Sequence, residues 1–178
     1  MNSFIFIKKN AVSKQKCENI IDILNTVKLN PGQAERIKDF YSGVSVDVYK
    51  SEWKEDLFNC ILEYKDRHKF LDSENLCQWH VQASCNYQKY KPGQYYSAEH
   101  SEQGGQKQDS RRMLAWTIYC NTVNNGGETY FPQQDTNLYP EQGTLAIWPA
   151  AWTHSHYGKP APKEYKYIVT GWANYVEL

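Results

Sequence analysis

Apolar residues recur along this chain at two different spacings. Behind Ser13, a residue able to cap a helix, Cys17, Ile20, Ile21, Leu24 and Val27 fall on one face at a period near 3.6, and Pro31-Gly32 closes the element. A second stripe, Trp53, Leu57, Ile61, Tyr64 and His68, follows a capping Ser51, and His68 belongs to that packed stripe without a functional claim. A short strand is expected before the first helix at 4–7, and a β-rich stretch at 44–49 between the two helices. From Trp79 the character changes to strand-like runs at 79–90, 113–121, 129–131, 143–149 and 166–176. Pro92-Gly93, Asn124-Asn125-Gly126-Gly127 and Glu141-Gln142-Gly143 separate them, with Gly126 and Gly127 expected at positive φ in a hairpin turn. Helices first and many short strands afterwards predict an α+β protein: a double-stranded β-helix (jelly-roll) core, one of its sheets braced by the N-terminal helices. One domain is expected over 1–178, helical to about 75 and jelly-roll from about 76.

Composition narrows the function classes. Twenty basic and twenty acidic side chains leave zero formal charge, without long runs of either sign, so no broad nucleic-acid-binding surface is expected. The 14 Tyr, 6 Trp and 6 Phe suit sheet packing and an aromatic-lined cavity. Five cysteines (Cys17, Cys60, Cys77, Cys85, Cys120) lie far apart with no Cys-x-x-Cys pair, which argues against a disulfide framework. Cys77 and His80 lack a second pair that would complete a zinc site. The opening MNSFIFIKKN holds only four consecutive apolar residues, too few for a signal sequence or a membrane span; a reducing, cytoplasmic setting is expected. Oligomeric state has no signature here.

The chemistry-bearing residues are fewer. On an extended segment His100 and Glu102, two apart, would project to one side and could share an ion. Alone, a His-x-Glu pair is more often an ordinary surface pair. His154 and His156, near the end of an apolar run with Trp148-Pro149 and Trp152, add a second histidine, and alternation does not choose between them. Two histidines and one carboxylate make the facial triad expected of non-haem Fe(II) oxygenases. Lys166, opening the last strand, would supply a cation for the far carboxylate of a chelated 2-oxo acid. The 101–110 segment, starting at this site and containing Gly104-Gly105, is a candidate lid.

From about Tyr87 to Trp172 the chain resembles the Fe(II)/2-oxoglutarate-dependent dioxygenases, specifically the prolyl 4-hydroxylase-like branch with small bacterial and phage members. The matching pieces run in family order. They are Tyr90-Lys91-Pro92-Gly93 with Tyr95-Tyr96; Arg112 through Tyr119-Cys120-Asn121; and Gly126-Gly127-Glu128-Thr129 with Phe131. Pro140-x-x-Gly143 with Trp148-Pro149 follows, and then His156, Lys166 and Trp172, where the ten-residue and six-residue steps match the family. About half the chain is covered. The resemblance implies His100, Glu102 and His156 as iron ligands, Lys166 as the 2-oxoglutarate anchor and Tyr90 as a hydrogen-bond donor to that cofactor. It also implies O2 as co-substrate and allows ascorbate as a supporting reductant. Trp116, Trp152 and Trp172 are candidates for shaping the substrate pocket, with Arg112, beside Arg111, for an acidic part of the substrate.

Two departures stand out. The family's usual acid is aspartate, here Glu102, and one extra residue separates Tyr96 from His100, which a bulge would absorb. A retained carboxylate argues against halogenation. The activity implied is hydroxylation of an unactivated C–H bond, first of a peptidyl proline, with release of succinate and CO2. The alternatives are the same chemistry on a small metabolite, free amino acid or nucleobase, and a non-catalytic ligand-binding jelly-roll; a zinc hydrolase ranks last.

Overall fold

The first apolar stripe becomes helix α1 (Lys14–Thr26), whose buried residues are Cys17, Ile20 and Leu24. Ser13 caps it through its hydroxyl to Lys16 N and its carbonyl from Cys17 N. The second becomes α2 (Lys54–Arg67), burying Leu57, Cys60, Ile61 and Tyr64. It starts later than Ser51, whose hydroxyl instead donates to the Asp47 carbonyl. Lys16 and Asp56, 2.7 Å apart, tie the helices together. The computed structural model of the chain describes residues 3–26, 30–31, 42–96, 98–104, 106 and 109–176. Val27, Ser97 with the expected bulge, and Gly105 with 107–108 of the expected lid lie outside the described residues.

Eleven described strands carry the rest: β1 (Phe6–Lys8), β2 (Asn30–Pro31), β3 (Ser42–Asp47), β4 (Trp79–Val81), β5 (Ser84–Tyr90), β6 (Arg112–Tyr119), β7 (Thr129–Phe131), β8 (Thr136–Leu138), β9 (Leu145–Pro149), β10 (Tyr157–Gly158) and β11 (Lys166–Tyr175). The large sheet runs β1-β9-β6-β11-β5-β3-β2, with β4 also on β11; the small sheet is β10-β7-β8. Two facing antiparallel sheets with two helices behind the larger one are a jelly-roll braced from one side, as the alternation of segments predicts.

Several boundaries moved for identifiable reasons. The first strand begins at Phe6 because Phe4 takes φ 54, and Phe6 then pairs with Ile147. The 79–90 run breaks at Gln82–Ala83: Gln82 N donates to Trp172 O, while Ala83 O accepts from Val48 N. Both halves still follow one edge of β11, β5 against Lys166–Thr170 and β4 against Ala173–Tyr175. Strands β2, β8 and β10 escape sequence patterning because two or three residues show no alternation.

From Leu114 onward, alternation along β6 divides the core. Leu114, Trp116 and Ile118 of β6 face the helices with Trp53, Leu57 and Leu24, and the Trp53 indole donates to the Tyr87 hydroxyl at 2.7 Å. Ala115 and Tyr119 point the other way, joining Phe131, Leu138, Trp148 and Ile168 between the sheets. Gly126 and Gly127 take φ +79 and +78, and a Cβ on Gly126 would lie 2.1 Å from the Pro160 carbonyl, so the turn admits only glycine there. The site-bearing face of each strand is therefore set by its partner's register.

Candidate metal centre

Strand β10 and its approach hold His156 against His100. The two exchange both backbone bonds, His100 N to His156 O at 3.1 Å and His156 N to His100 O at 2.9 Å, as an isolated antiparallel bridge. The 98–104 segment is otherwise no strand, so the extended His-x-Glu expected from sequence is replaced by a bridge at His100 and a bend at Glu102. The side chains converge nonetheless: one ligand atom from each of His100, Glu102 and His156 lies within 4.8 Å of the others. Glu102 Oε1 sits 3.3 Å from His156 Nε2 and 3.7 Å from His100 Nε2.

Backbone carbonyls decide the tautomers. His100 Nδ1 lies 2.9 Å from Ala98 O and His156 Nδ1 3.0 Å from His154 O. A carbonyl only accepts, so each Nδ1 carries a hydrogen, and each ring in its neutral form turns an Nε2 lone pair inward. Three acceptor atoms then face one another across a few ångströms, a cluster that only a shared proton or a cation relieves. Burial disfavours charge on Glu102, yet the facing His100 and His156 hold its carboxyl far below the usual range. Burial lowers the His100 imidazole, and the Glu102 hydrogen bond and charge more than reverse it, leaving it raised. The donor set of two imidazoles and a carboxylate fits ferrous iron.

The same cavity, about 360 Å³, runs on to Lys166, Tyr90 and Thr129. That is room for a small ligand with part of a second. Lys166 opens β11 in register with Tyr90 and is 6% exposed, its ammonium 5.5 Å from the Tyr90 ring and 5.7 Å from that of Tyr119. Among the described residues no carboxylate comes within 4.0 Å of it, and burial pushes its pKa down to about 8 despite the charge of Glu128. A buried cation without an anion suits a ligand that brings one. The Tyr119 hydroxyl donates to Thr129 at 2.9 Å, and the Tyr90 hydroxyl donates to Gln88 at 3.0 Å.

The remaining candidates separate. Arg112 and Trp172 line the cavity beside Glu102: the Trp172 indole donates to Glu102 Oε2 at 2.7 Å. Trp116 touches the cavity wall but is 1% exposed, packed 5.6 Å from Trp53 in the helix-side core. Trp152 is 75% exposed and does not line the cavity, because it lies in a turn that carries it outward; the pocket-shaping role expected from sequence is corrected. His154 turns away from the centre, its Nε2 donating to Ser3 O at 2.8 Å. Sequence reading missed Asp109, Asn86, Gln88 and Thr170, all in the cavity wall. Period-two alternation back from Tyr90 would have found Gln88 and Asn86, and forward from Lys166 would have found Thr170.

Comparisons agree with this arrangement. A sequence model of the 2OG-Fe(II) oxygenase superfamily matches residues 85–174. No curated protein sequence matches the chain. Among solved structures it is similar to a viral collagen prolyl hydroxylase from Paramecium Bursaria Chlorella virus-1, with TM-score 0.75 and 19% identity over 98% of this chain and 97% of that one. A Pseudomonas putida prolyl-4-hydroxylase gives TM-score 0.73 and 18% identity over 99% and 95% of the two chains. A Trichoplax adhaerens prolyl hydroxylase, solved with a hypoxia inducible factor oxygen degradation domain peptide fragment, gives 0.73 and 16% over 97% and 84%. These identities speak for the fold, and the sequence model speaks for the family. With its jelly-roll, its His-Glu-His cluster and a match across half its length, this chain belongs to the 2OG-Fe(II) oxygenase superfamily and is a 2-oxoglutarate-dependent iron oxygenase.

Proposed function

We propose that His100, Glu102 and His156 hold the ferrous ion, that Lys166 pairs with the far carboxylate of 2-oxoglutarate, and that the protein hydroxylates a peptidyl proline. The observation that carries this reading is a single cavity holding both a cluster of three inward-facing acceptors and a buried ammonium without a carboxylate. When bound, iron and 2-oxoglutarate together supply the oxidising power, one atom of O2 passing to a substrate carbon while the oxo acid leaves as succinate and CO2. The protein's own part is to orient and to exclude water. The two Nδ1–H bonds to carbonyls fix both imidazole planes before any ion arrives. Lys166 aligns the oxo acid from one end of the cavity, and Tyr90 and Tyr119 wall that end from solvent. The whole length is proposed to act as one domain, helical support to about 75 and catalytic jelly-roll beyond.

Peptidyl proline is favoured by two neighbours, one described as a collagen prolyl hydroxylase and one as a prolyl hydroxylase in complex with a peptide fragment, and by the Tyr95, Tyr96 and Trp172 rings along the cavity. Aromatic faces suit proline rings. A small polar metabolite is the second reading, supported by the Asn86, Gln88 and Thr170 wall, where Thr170 Oγ1 is buried without a hydrogen-bond partner. A succinate-release assay with Fe(II), 2-oxoglutarate and ascorbate, run across proline-rich peptides and a metabolite panel, tests this. Peptide-dependent succinate with a 16 Da gain on proline is expected. Mass gain on a metabolite alone removes the peptide assignment.

A further inference from the structure

A glutamate reaches one methylene further than an aspartate and has an additional rotatable bond, so presenting a single oxygen to a metal at a fixed place costs it more side-chain freedom. Here that freedom is removed from the far side of the carboxylate. Glu102 Oε1 faces the two Nε2 atoms, whereas Oε2 accepts the Trp172 indole N–H at 2.7 Å. The indole is itself held: the Arg112 guanidinium carbon lies 3.7 Å from the centroid of the Trp172 ring, a close cation–π stack.

Arg112 is fully engaged in this role. One arm meets Asp109 Oδ1 at 2.9 Å, and the other donates to the backbone carbonyl of Glu102 at 3.1 Å. The Arg112 carbonyl in turn accepts from the Gln103 side chain at 2.7 Å. The guanidinium is 3.6 Å from Glu102 Oε2, beyond hydrogen-bond reach, so no bidentate salt bridge ties up the carboxylate. A neutral indole donor engages one oxygen and leaves the negative charge for the partner opposite.

We propose that Trp172, stacked beneath Arg112, is the positioning residue that fits a glutamate to this centre: it occupies Oε2 and presents Oε1 alone to a divalent cation. The proposal rests on the ligand assignment above. It also explains why Arg112, the first residue of β6, is spent on the acid-bearing segment rather than standing free for substrate.

Co(II) is the probe, titrated anaerobically into the full-length protein and followed by its visible d–d bands. Wild type is expected to bind one equivalent; no binding by wild type overturns the ligand assignment and the positioning role with it. With wild type binding, Trp172→Phe keeps the ring under Arg112 and removes only the N–H. It is expected to weaken Co(II) about tenfold or more and to change the band shape, as loss of an outer hydrogen bond to a ligand does. Against Glu102→Asp, too short to keep the indole bond, Trp172→Phe is expected to have no further effect. An unchanged affinity, or an equal loss in the aspartate background, overturns the positioning role while leaving the ligands in place. Should Trp172→Phe not fold, Arg112→Lys carries the test, because lysine keeps the charge and loses the planar stack. A several-fold weaker Co(II) site supports the proposal, and wild-type affinity refutes it.

Discussion

His100 and His156 bond to each other through their backbones, N–H to carbonyl in both directions, at 3.1 and 2.9 Å. The two histidines are therefore placed by one rung of β pairing rather than by two independent loops. The carbonyls of Ala98 and His154, each two residues before its histidine, then set which nitrogen faces inward.

The neighbouring histidines should behave oppositely on mutation. His156→Ala is expected to abolish metal binding with the fold retained. His154→Ala is expected to keep metal affinity but to cost roughly 1–3 kcal/mol of stability, since the Ser3 carbonyl and Thr153 hydroxyl lose their partner. Metal titration beside thermal melts separates them. A larger affinity loss in the His154 variant would reverse the assignment.

In the proposed role, Lys166 gives up stability for binding. Replacing a buried, unpaired ammonium with methionine is expected to stabilise the ligand-free protein by roughly 1–3 kcal/mol. The same change should raise the 2-oxoglutarate requirement at least about a hundredfold, because a buried carboxylate loses its cation. Denaturant melts and 2-oxoglutarate titrations check both halves. A variant that is less stable with unchanged cofactor affinity would remove the lysine from the site.

The pH dependence follows from the same group. Its folded pKa is about 8 against an ordinary 10.5, so between those values the unfolded chain binds more protons. Its unfavourable contribution is fully present below pH 8 and is relieved as pH rises toward 10.5. Bound 2-oxoglutarate favours the charged form instead, so binding near pH 9 is expected to take up about one proton and to weaken about tenfold per pH unit. Calorimetry in two buffers of different ionisation enthalpy, with Mn(II) in place of iron, measures the uptake. Zero uptake at pH 9 would contradict the pairing.

Metal itself should stabilise the fold. One ligand atom from each of His100, Glu102 and His156 already faces the others, and a cation at a hundred times its Kd adds about 2.7 kcal/mol by mass action. A melting temperature indifferent to Mn(II) and to chelator would argue against a shared ion.

Gly171→Ala tests the helix-side core where it meets the cavity wall. Its Cβ would fall 2.2 Å from the Trp116 ring, which is wedged against Trp53, so a loss of roughly 1–3 kcal/mol is expected from overpacking. An unaffected melt would mean that the Trp116 indole can move aside.

Local pattern carried much of this molecule. The stripes at Cys17–Leu24 and Leu57–Tyr64 became buried helix faces, and the runs around Thr129–Phe131 and Lys166–Tyr175 became strands, because periodicity is a property of neighbouring residues. His-x-Glu, the second histidine and the distant lysine were legible as candidate chemistry from residue type and spacing alone. Selection between His154 and His156 from the residues alone was not, since the two are equivalent by alternation until a turn at Trp152–His154 and a bridge to His100 send them opposite ways. Nor could one dimension show Trp172 meeting Glu102, Arg112 stacking on that indole, or Trp152 swinging into solvent. Those relations depend on which strands pair and in which register, and register is settled by burial across the whole sheet rather than by any short stretch of chain.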